Sequence, residues 1–205
     1  MARYTEPKCR LCRRAGKKLF LKGERCFSPK CPVDKKGAIP PGQHGQKRRS
    51  RMTDYKEQLM EKQKAKETYG VLERQFRIYF KRALVKKGMT GEALLQILES
   101  RLDNVIYRTG LASSRRAGRQ LVSHGHVLVN GKKVDIPSYR VRVGEEISLS
   151  EKSKTSPLFA KVTETLSKVD APGWLGLDPK KISAKVLNAP TVDDPGYDAK
   201  SIIEF

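Results

Sequence analysis

Residues 101–143 read RLDNVIYRTGLASSRRAGRQLVSHGHVLVNGKKVDIPSYRVRV, and the fold follows from how this stretch divides. Leu94, Leu98, Leu102 and Val105 stand at i, i+4, i+8 and i+11, spacing that predicts a helix with one apolar face, ended by Gly110. Ser113 or Ser114 then caps a second helix, which Gly125 closes. At about 100° per residue, Arg115, Arg116, Arg119 and Gln120 share one arc of this second helix. Ser114, Ala117, Gly118, Leu121 and Val122 take the opposite arc. Val127-Leu128-Val129 and Lys133-Val134 flank Asn130-Gly131, the strongest short signal for a type I′ hairpin. A helix with one basic and one small or apolar face, beside a basic hairpin, predicts a rigid cationic surface.

A run of charge on a helix is ordinarily a solvated face. Here no acidic residue lies between Asp103 and Asp135, so the cations have no partner nearby in sequence. Arg115 and Arg116 also occupy the first turn, where positive charge opposes the helix dipole at a cost of a few tenths of a kcal/mol each. An anion at the helix N-terminus offsets that cost, held by free backbone N–H groups and guanidinium forks. The pattern predicts phosphate binding.

The run RLDNVIYRTG…SRRAGRQLVSHGHVLVNGKKVDIPSYRVRVGEE resembles the S-four RNA-binding domain. The likeness continues through CRLCRR near the start, PPGQHGQKRR at 40–49, LERQFRIYFKRA at 72–83 and a terminal IIEF. Nearly the whole chain is therefore similar to the bacterial small-subunit ribosomal proteins after which that domain is named. The resemblance implies a structural, non-enzymatic constituent of the small subunit that binds 16S rRNA early, nucleates assembly of the subunit body and contributes to translational accuracy. It also implies neighbouring small-subunit proteins as partners and contact with mRNA at the entry channel. The alternative is a free S-four-type RNA-binding module in RNA quality control.

Composition points the same way. Lys and Arg number 43 against 22 Asp and Glu, giving a net charge of +21 and a pI near 10, which fits a polyanionic partner. Apolar runs are only a few residues long, so nothing predicts a membrane span. The start, MARYTEPKCRLCRR, lacks the apolar core of a secretory signal, and the expected location is the cytoplasm. Residues 1–51 carry sixteen Lys and Arg against three acids, a net +13. Residues 188–205 are acidic by three charges, which suits a packing surface better than an RNA contact.

All four cysteines fall in the basic segment, as Cys9-x2-Cys12 and Cys26-x4-Cys31 with thirteen residues between the pairs. Two close pairs at that distance predict a tetrahedral thiolate site. Zinc is the expected ion. An iron–sulfur cluster is the alternative that spacing does not separate. Arg10, Arg13, Arg14 and Lys30 offset the thiolate charge, and a metal staple would compensate for the few large apolar groups before residue 51. The segment Ile39–Gln46 is too rich in Pro and Gly for regular structure. It leads into Lys47-Arg48-Arg49-Ser50-Arg51, a basic strip that the resemblance places on ribosomal RNA.

Thr53 caps a helix from about Asp54 to Tyr69, and a second, about Leu72 to Lys87, places Phe76, Tyr79, Phe80 and Ala83 on one face, read as core. Alternation predicts strands at Tyr139–Val143 and Glu146–Leu149. Residues 155–168 suit one more helix, with Leu158, Val162 and Leu166 in phase. Trp174-Leu175 and Ile182 to Leu187 read as strands or packed loop, and the terminal SIIEF is expected to dock onto a domain.

The fold class is α+β: a metal-stapled N-terminal segment and a small all-helical domain, plus an S-four domain in which a helix pair packs on a small antiparallel sheet. The expected division is 1–51 (four-cysteine basic segment), 52–91 (helical domain, completed by 196–205) and 92–195 (S-four domain with extension). Candidate metal ligands are Cys9, Cys12, Cys26 and Cys31. Candidate RNA contacts are Arg10, Arg13, Arg14, His44, Lys47, Arg48, Arg49 and Arg51, then Ser114, Arg115, Arg116, Arg119, Gln120, His124, Lys132, Lys133, Tyr139 and Arg140. No nucleophile–base pair, GKS/GKT loop or dinucleotide fingerprint appears. S-four domains attached to pseudouridine synthases and tyrosyl-tRNA synthetases accompany a further catalytic domain, and here no segment is long enough to be one. Neither an enzyme nor a small-molecule substrate is expected.

Overall fold

The computed structural model describes residues 3–46, 52–86, 88–159, 166, 170–192 and 195–205. Among these the helices are α1 (Cys9–Ala15), α2 (Pro32–Lys36), α3 (Asp54–Thr68), α4 (Glu73–Val85), α5 (Thr90–Glu99), α6 (Leu102–Arg108), α7 (Arg115–Ser123), α8 (Glu151–Lys154) and α9 (Ala199–Glu204). The strands are β1 (Val127–Val129), β2 (Lys132–Lys133), β3 (Glu146–Leu149), β4 (Leu175–Asp178) and β5 (Ser183–Val186). The chain divides into two compact units, residues 1–94 with 194–205, and residues 95–193.

The first unit is helical. Thr53 caps α3, its hydroxyl accepting from the Lys56 amide, and Gly70 leaves the helix in the left-handed region at φ 62°. On α4 the predicted face is buried at Phe76, Tyr79 and Ala83, with Phe80 half-buried. Lys62 and Lys66 of α3 reach Glu73 of α4 at 2.8 and 3.2 Å. Burial raises the Glu73 carboxyl, but the hydrogen bonds from these two lysines outweigh it and hold the group at about 2. The acidic end of the chain packs here. Asp198 caps α9, accepting from the amides of Lys200 and Ser201, and its own amide donates to Glu61 of α3 at 3.0 Å. Ile202 is buried, Tyr197 meets the Tyr69 ring edge-on, and Phe205 lies 5.3 Å from Tyr55.

The second unit is built on α6, α7 and a five-stranded antiparallel sheet in the order β2-β1-β3-β5-β4. Leu102, Val105 and Ile106 of α6, Val122 of α7, Val127 and Val129 of β1, and Ile147 and Leu149 of β3 form the core. Trp174 and Val186 extend it across the strands that the sequence left open between strand and loop. Helices α6 and α7 meet through Gly118, where a β-carbon would stand 2.6 Å from the Asp103 carbonyl oxygen. Asn130 and Gly131 both have positive φ, 48° and 76°, as a type I′ turn requires.

Two expectations are corrected. The single helix through Leu94–Val105 breaks at Ser100–Arg101, because residues 137–141 take over its backbone bonds. The amides of Leu102 and Asp103 donate to the carbonyls of Tyr139 and Pro137, and the Val141 amide donates to Ser100 O. For the same reason Tyr139–Val143 is not a strand of the sheet, and only an isolated bridge joins Arg140 to Arg101. Of the helix expected at 155–168, most positions lie outside the described residues; Pro157–Phe159 is a turn of 3-10 helix.

Candidate nucleic-acid interface

Helix α7 begins at Ser114, whose buried hydroxyl accepts from the Ala117 amide at 3.2 Å. Of the two expected caps, Ser114 is the one used. Gly118 and Val122 are buried and Ala117 and Leu121 are half-buried, so the small and apolar arc faces the core. The cationic arc is not uniform. Arg116 and Gln120 are exposed, whereas Arg115 and Arg119 are half-buried toward α6.

Arg115 does not lack local partners, as the absence of nearby acids in sequence had implied. Its Nε donates to Asn104 Oδ1 at 2.7 Å, its Nη2 lies 3.8 Å from Glu99 Oε1, and its guanidinium stacks over the Tyr107 ring at 4.7 Å. Glu99 is fully buried and is the hub of this cluster. It accepts from both Arg108 Nε (2.9 Å) and Nη2 (2.8 Å) and from Asn104 Nδ2 (2.7 Å). A second pair lies on the same helix: Arg101 donates through Nε and Nη2 to Asp103 at 3.0 and 2.6 Å, with both side chains almost fully buried. Burial pushes the Asp103 carboxyl up, against the pull of Arg101 and of Arg119 on α7. Buried carboxylates on the α5–α6 side thus hold the inner arginines, fixing α7 with Arg116 outermost. Glu99, Asn104 and Arg108 were missed in sequence because their meeting depends on the chain turning at Ser100–Arg101.

The hairpin presents Lys132 and Lys133 to solvent. Lys133 also folds over Gly125, where its Cε would stand 2.1 Å from any added β-carbon. This contact brings the hairpin amine to the C-terminal end of α7, beside exposed His124, whose ring lies 6.0 Å from that of His126. His126 shares a 2.8 Å hydrogen bond with Ser153 through Nδ1. Arg140 is exposed against the α5–α6 connection. Tyr139 is half-buried and donates to Glu145 at 2.9 Å, and burial followed by this carboxylate pushes its phenol up. The structure therefore groups Arg116, Gln120, His124 and the two hairpin lysines on α7 and β2. Arg115 and Arg119 act within the scaffold, and Tyr139 is engaged by Glu145.

In the first unit, Arg13 is turned to structure, donating from Nε to Ile39 O at 2.7 Å and from Nη2 to Pro40 O at 3.2 Å. Arg10 and Arg14 are exposed along a cleft of about 380 Å³ shared with Lys66 and Glu67. His44 is exposed in a short turn whose Gly45 packs on Pro40, with no room for a side chain. Lys47, Arg48, Arg49 and Arg51 lie outside the described residues.

Cys9, Cys12, Cys26 and Cys31 all line one pocket and none is in a disulfide. The Lys22 amide donates to Cys26 Sγ at 3.3 Å. Burial pushes the Cys12 thiol up, opposed by a backbone hydrogen bond at Leu19 and reinforced by the three other thiols. Among the described residues, however, no group of three or more His, Cys, Asp or Glu is arranged to hold a metal ion. The expected metal staple is therefore not seen as closed coordination. The donors are gathered and chemically suited to a thiophilic ion.

Comparison with known proteins bears on both units. Residues 3–99 match the family described as the ribosomal protein S4/S9 N-terminal domain, and residues 100–147 match the S4 domain. The chain is 57% identical over 194 residues to small ribosomal subunit protein uS4 of Acetivibrio thermocellus, covering 95% of this chain and 92% of that protein. It is 54% identical over 207 residues to the uS4 of Thermus thermophilus, covering 100% and 99%. It is 52% identical to uS4A of Symbiobacterium thermophilum, again over 100% and 99%.

Proposed function

The chain belongs to the uS4 family of small ribosomal subunit proteins, and from that premise we propose that it is a structural constituent of the small subunit that binds 16S rRNA. Its role is to bind, not to catalyse. The observation that carries this reading is the division of labour on α7. Glu99 and Asp103 draw in Arg115 and Arg119, while Arg116, Lys132 and Lys133 stay exposed and make no ion pair among the described residues. Such cations, on a helix and hairpin that pack into one core, suit the phosphates of a folded RNA. Recognition is then mainly of shape, because the deep A-form groove is closed to side chains.

In this role the protein nucleates folding of the subunit body, meets neighbouring small-subunit proteins on the cytoplasmic ribosome, and contributes to accuracy near the mRNA entry channel. Binding of the purified chain to small-subunit rRNA and to an unrelated folded RNA of equal length, at physiological ionic strength, tests the reading. Preference for the first is expected, and equal affinities refute it.

We further propose that the four cysteines hold one zinc ion. Support comes from their shared pocket, their lying outside any disulfide and the amide donated to Cys26. Zinc would supply no catalysis here; it would hold the two cysteine pairs together and fix the basic segment around them. About one zinc per chain is expected, with loss of N-terminal structure on chelation. Visible charge-transfer absorption would indicate an iron–sulfur cluster instead, and a metal-free chain with the same fold would refute both.

A further inference from the structure

Two aromatic side chains of the basic segment have no place in the helical core. Phe27 is 71% exposed and Phe20 is 37% exposed, yet their rings are stacked on each other, 5.0 Å apart and inclined by 26°. Phe20 is held at φ 49°, a left-handed conformation that a bulky side chain rarely adopts. Phe27 directly follows the short 3-10 turn Gly23–Cys26, whose Phe27 amide donates to Glu24 O. The two rings thus pair within the chain itself. Close to them in sequence, Lys22, Arg25 and Lys30 are exposed, as is Glu24 on the same turn. The segment they belong to, residues 1–51, carries a net charge of +13.

We infer that Phe20 and Phe27 form a platform on which an unpaired RNA base stacks, with Lys22, Arg25 and Lys30 holding the flanking phosphates. The chemistry favours this occupant over a protein. A neighbouring apolar surface would satisfy the rings equally well, but it would leave three cations at the rim without counter-charge. A nucleotide brings a flat π-face and an anion together. The rings are already ordered by each other, so little side-chain freedom is lost on binding. Only base identity is left open, since every base offers such a face.

This inference rests on the proposal that the ligand is RNA, and the test keeps the two apart. The full chain is titrated with an oligouridylate of about ten nucleotides and with an abasic ribose-phosphate oligomer of the same length and charge. The wild type should prefer the oligouridylate about tenfold, a factor typical of losing one stacked base. Phe27→Leu keeps the apolar bulk but not the π-face, and should abolish the preference while leaving the abasic affinity and the salt dependence unchanged. Phe27→Trp should keep or increase the preference, and circular dichroism checks that each variant is folded. If both oligomers bind wild type equally, or Phe27→Leu retains the preference, the platform is refuted and the rings are better assigned to a protein neighbour. If neither oligomer binds at low salt, the platform is refuted, and the RNA reading is decided separately by binding of the same chain to folded small-subunit rRNA.

Discussion

Replacing Glu99 with glutamine is the sharpest test of how the cationic helix is held. The substitution keeps shape and volume but removes the charge that receives both Arg108 nitrogens and faces Arg115. Removing one partner of a buried ion pair costs about 3–5 kcal/mol when the other stays desolvated. Here Arg108 and Arg115 are 29% and 16% exposed, so they regain part of their hydration, and the glutamine oxygen still accepts a hydrogen bond. The expected loss is therefore about 2–4 kcal/mol, consistent with losing charge-assisted bonds worth about 1.5–3 each and keeping a neutral one. Trp174 is the sole tryptophan and is buried in the same unit, so its fluorescence in a urea titration reports this unit alone. A midpoint shift of about 1–2 M is expected with the slope unchanged. Arg108→Gln should then cost at least about 1 kcal/mol less on the Glu99→Gln background than in the wild type. A loss under about 1 kcal/mol, or full additivity, would refute the idea that Glu99 is the hub.

Three further outcomes follow from the same geometry. Arg116→Ala should lower the slope of log affinity against log salt by about one unit without changing the melting temperature, whereas Arg115→Ala should lower the melting temperature; equal behaviour of the two variants in filter binding and calorimetry would contradict their different placement. Gly118→Ala should destabilise by about 1–3 kcal/mol, because the new methyl meets the Asp103 carbonyl 2.6 Å away, and an unshifted Trp174 unfolding curve would mean the helices separate freely. The Glu73 carboxyl sits below its ordinary 4.5, at about 2, so its contribution is present above pH 4.5 and is lost as pH falls toward 2. Helicity measured through acid titration should then fall less steeply between those values in Glu73→Gln than in wild type, and parallel curves would count against the lysine pair.

Features set by neighbouring residues were legible from the chain alone. The Asn130-Gly131 turn, a serine cap at 113 or 114, the Gly125 exit and the buried face of α4 each depend on a handful of consecutive positions. The break at Ser100–Arg101 was not legible, since an unbroken apolar period runs across it and the competing hydrogen bonds come from residues 137–141. The alternation of Tyr139–Val143 misled for the same reason: its backbone pairs with a helix junction instead of the sheet. The split among the arginines was hidden as well. Their spacing gives their arc correctly, but Glu99 comes within reach of Arg115 only after the turn between α5 and α6 is made. The four cysteines line one pocket, as their spacing allows, without the closed coordination expected of them, whereas the exposed pairing of Phe20 and Phe27 had no periodic signature.

The docking of α9 on α3 has a consequence for biogenesis. Residues 95–193 form an uninterrupted stretch, so during synthesis they can complete their hydrogen bonding once they have all emerged. The other unit joins residues 1–94 to 194–205, so Tyr197 and Ile202, which pack in it, are translated only after the whole second unit. Its aromatic surfaces at Tyr55 and Tyr69 thus stay uncovered until residues 197–205 have emerged and docked. The nascent protein therefore passes through a stage with a finished second unit and an unsealed first one.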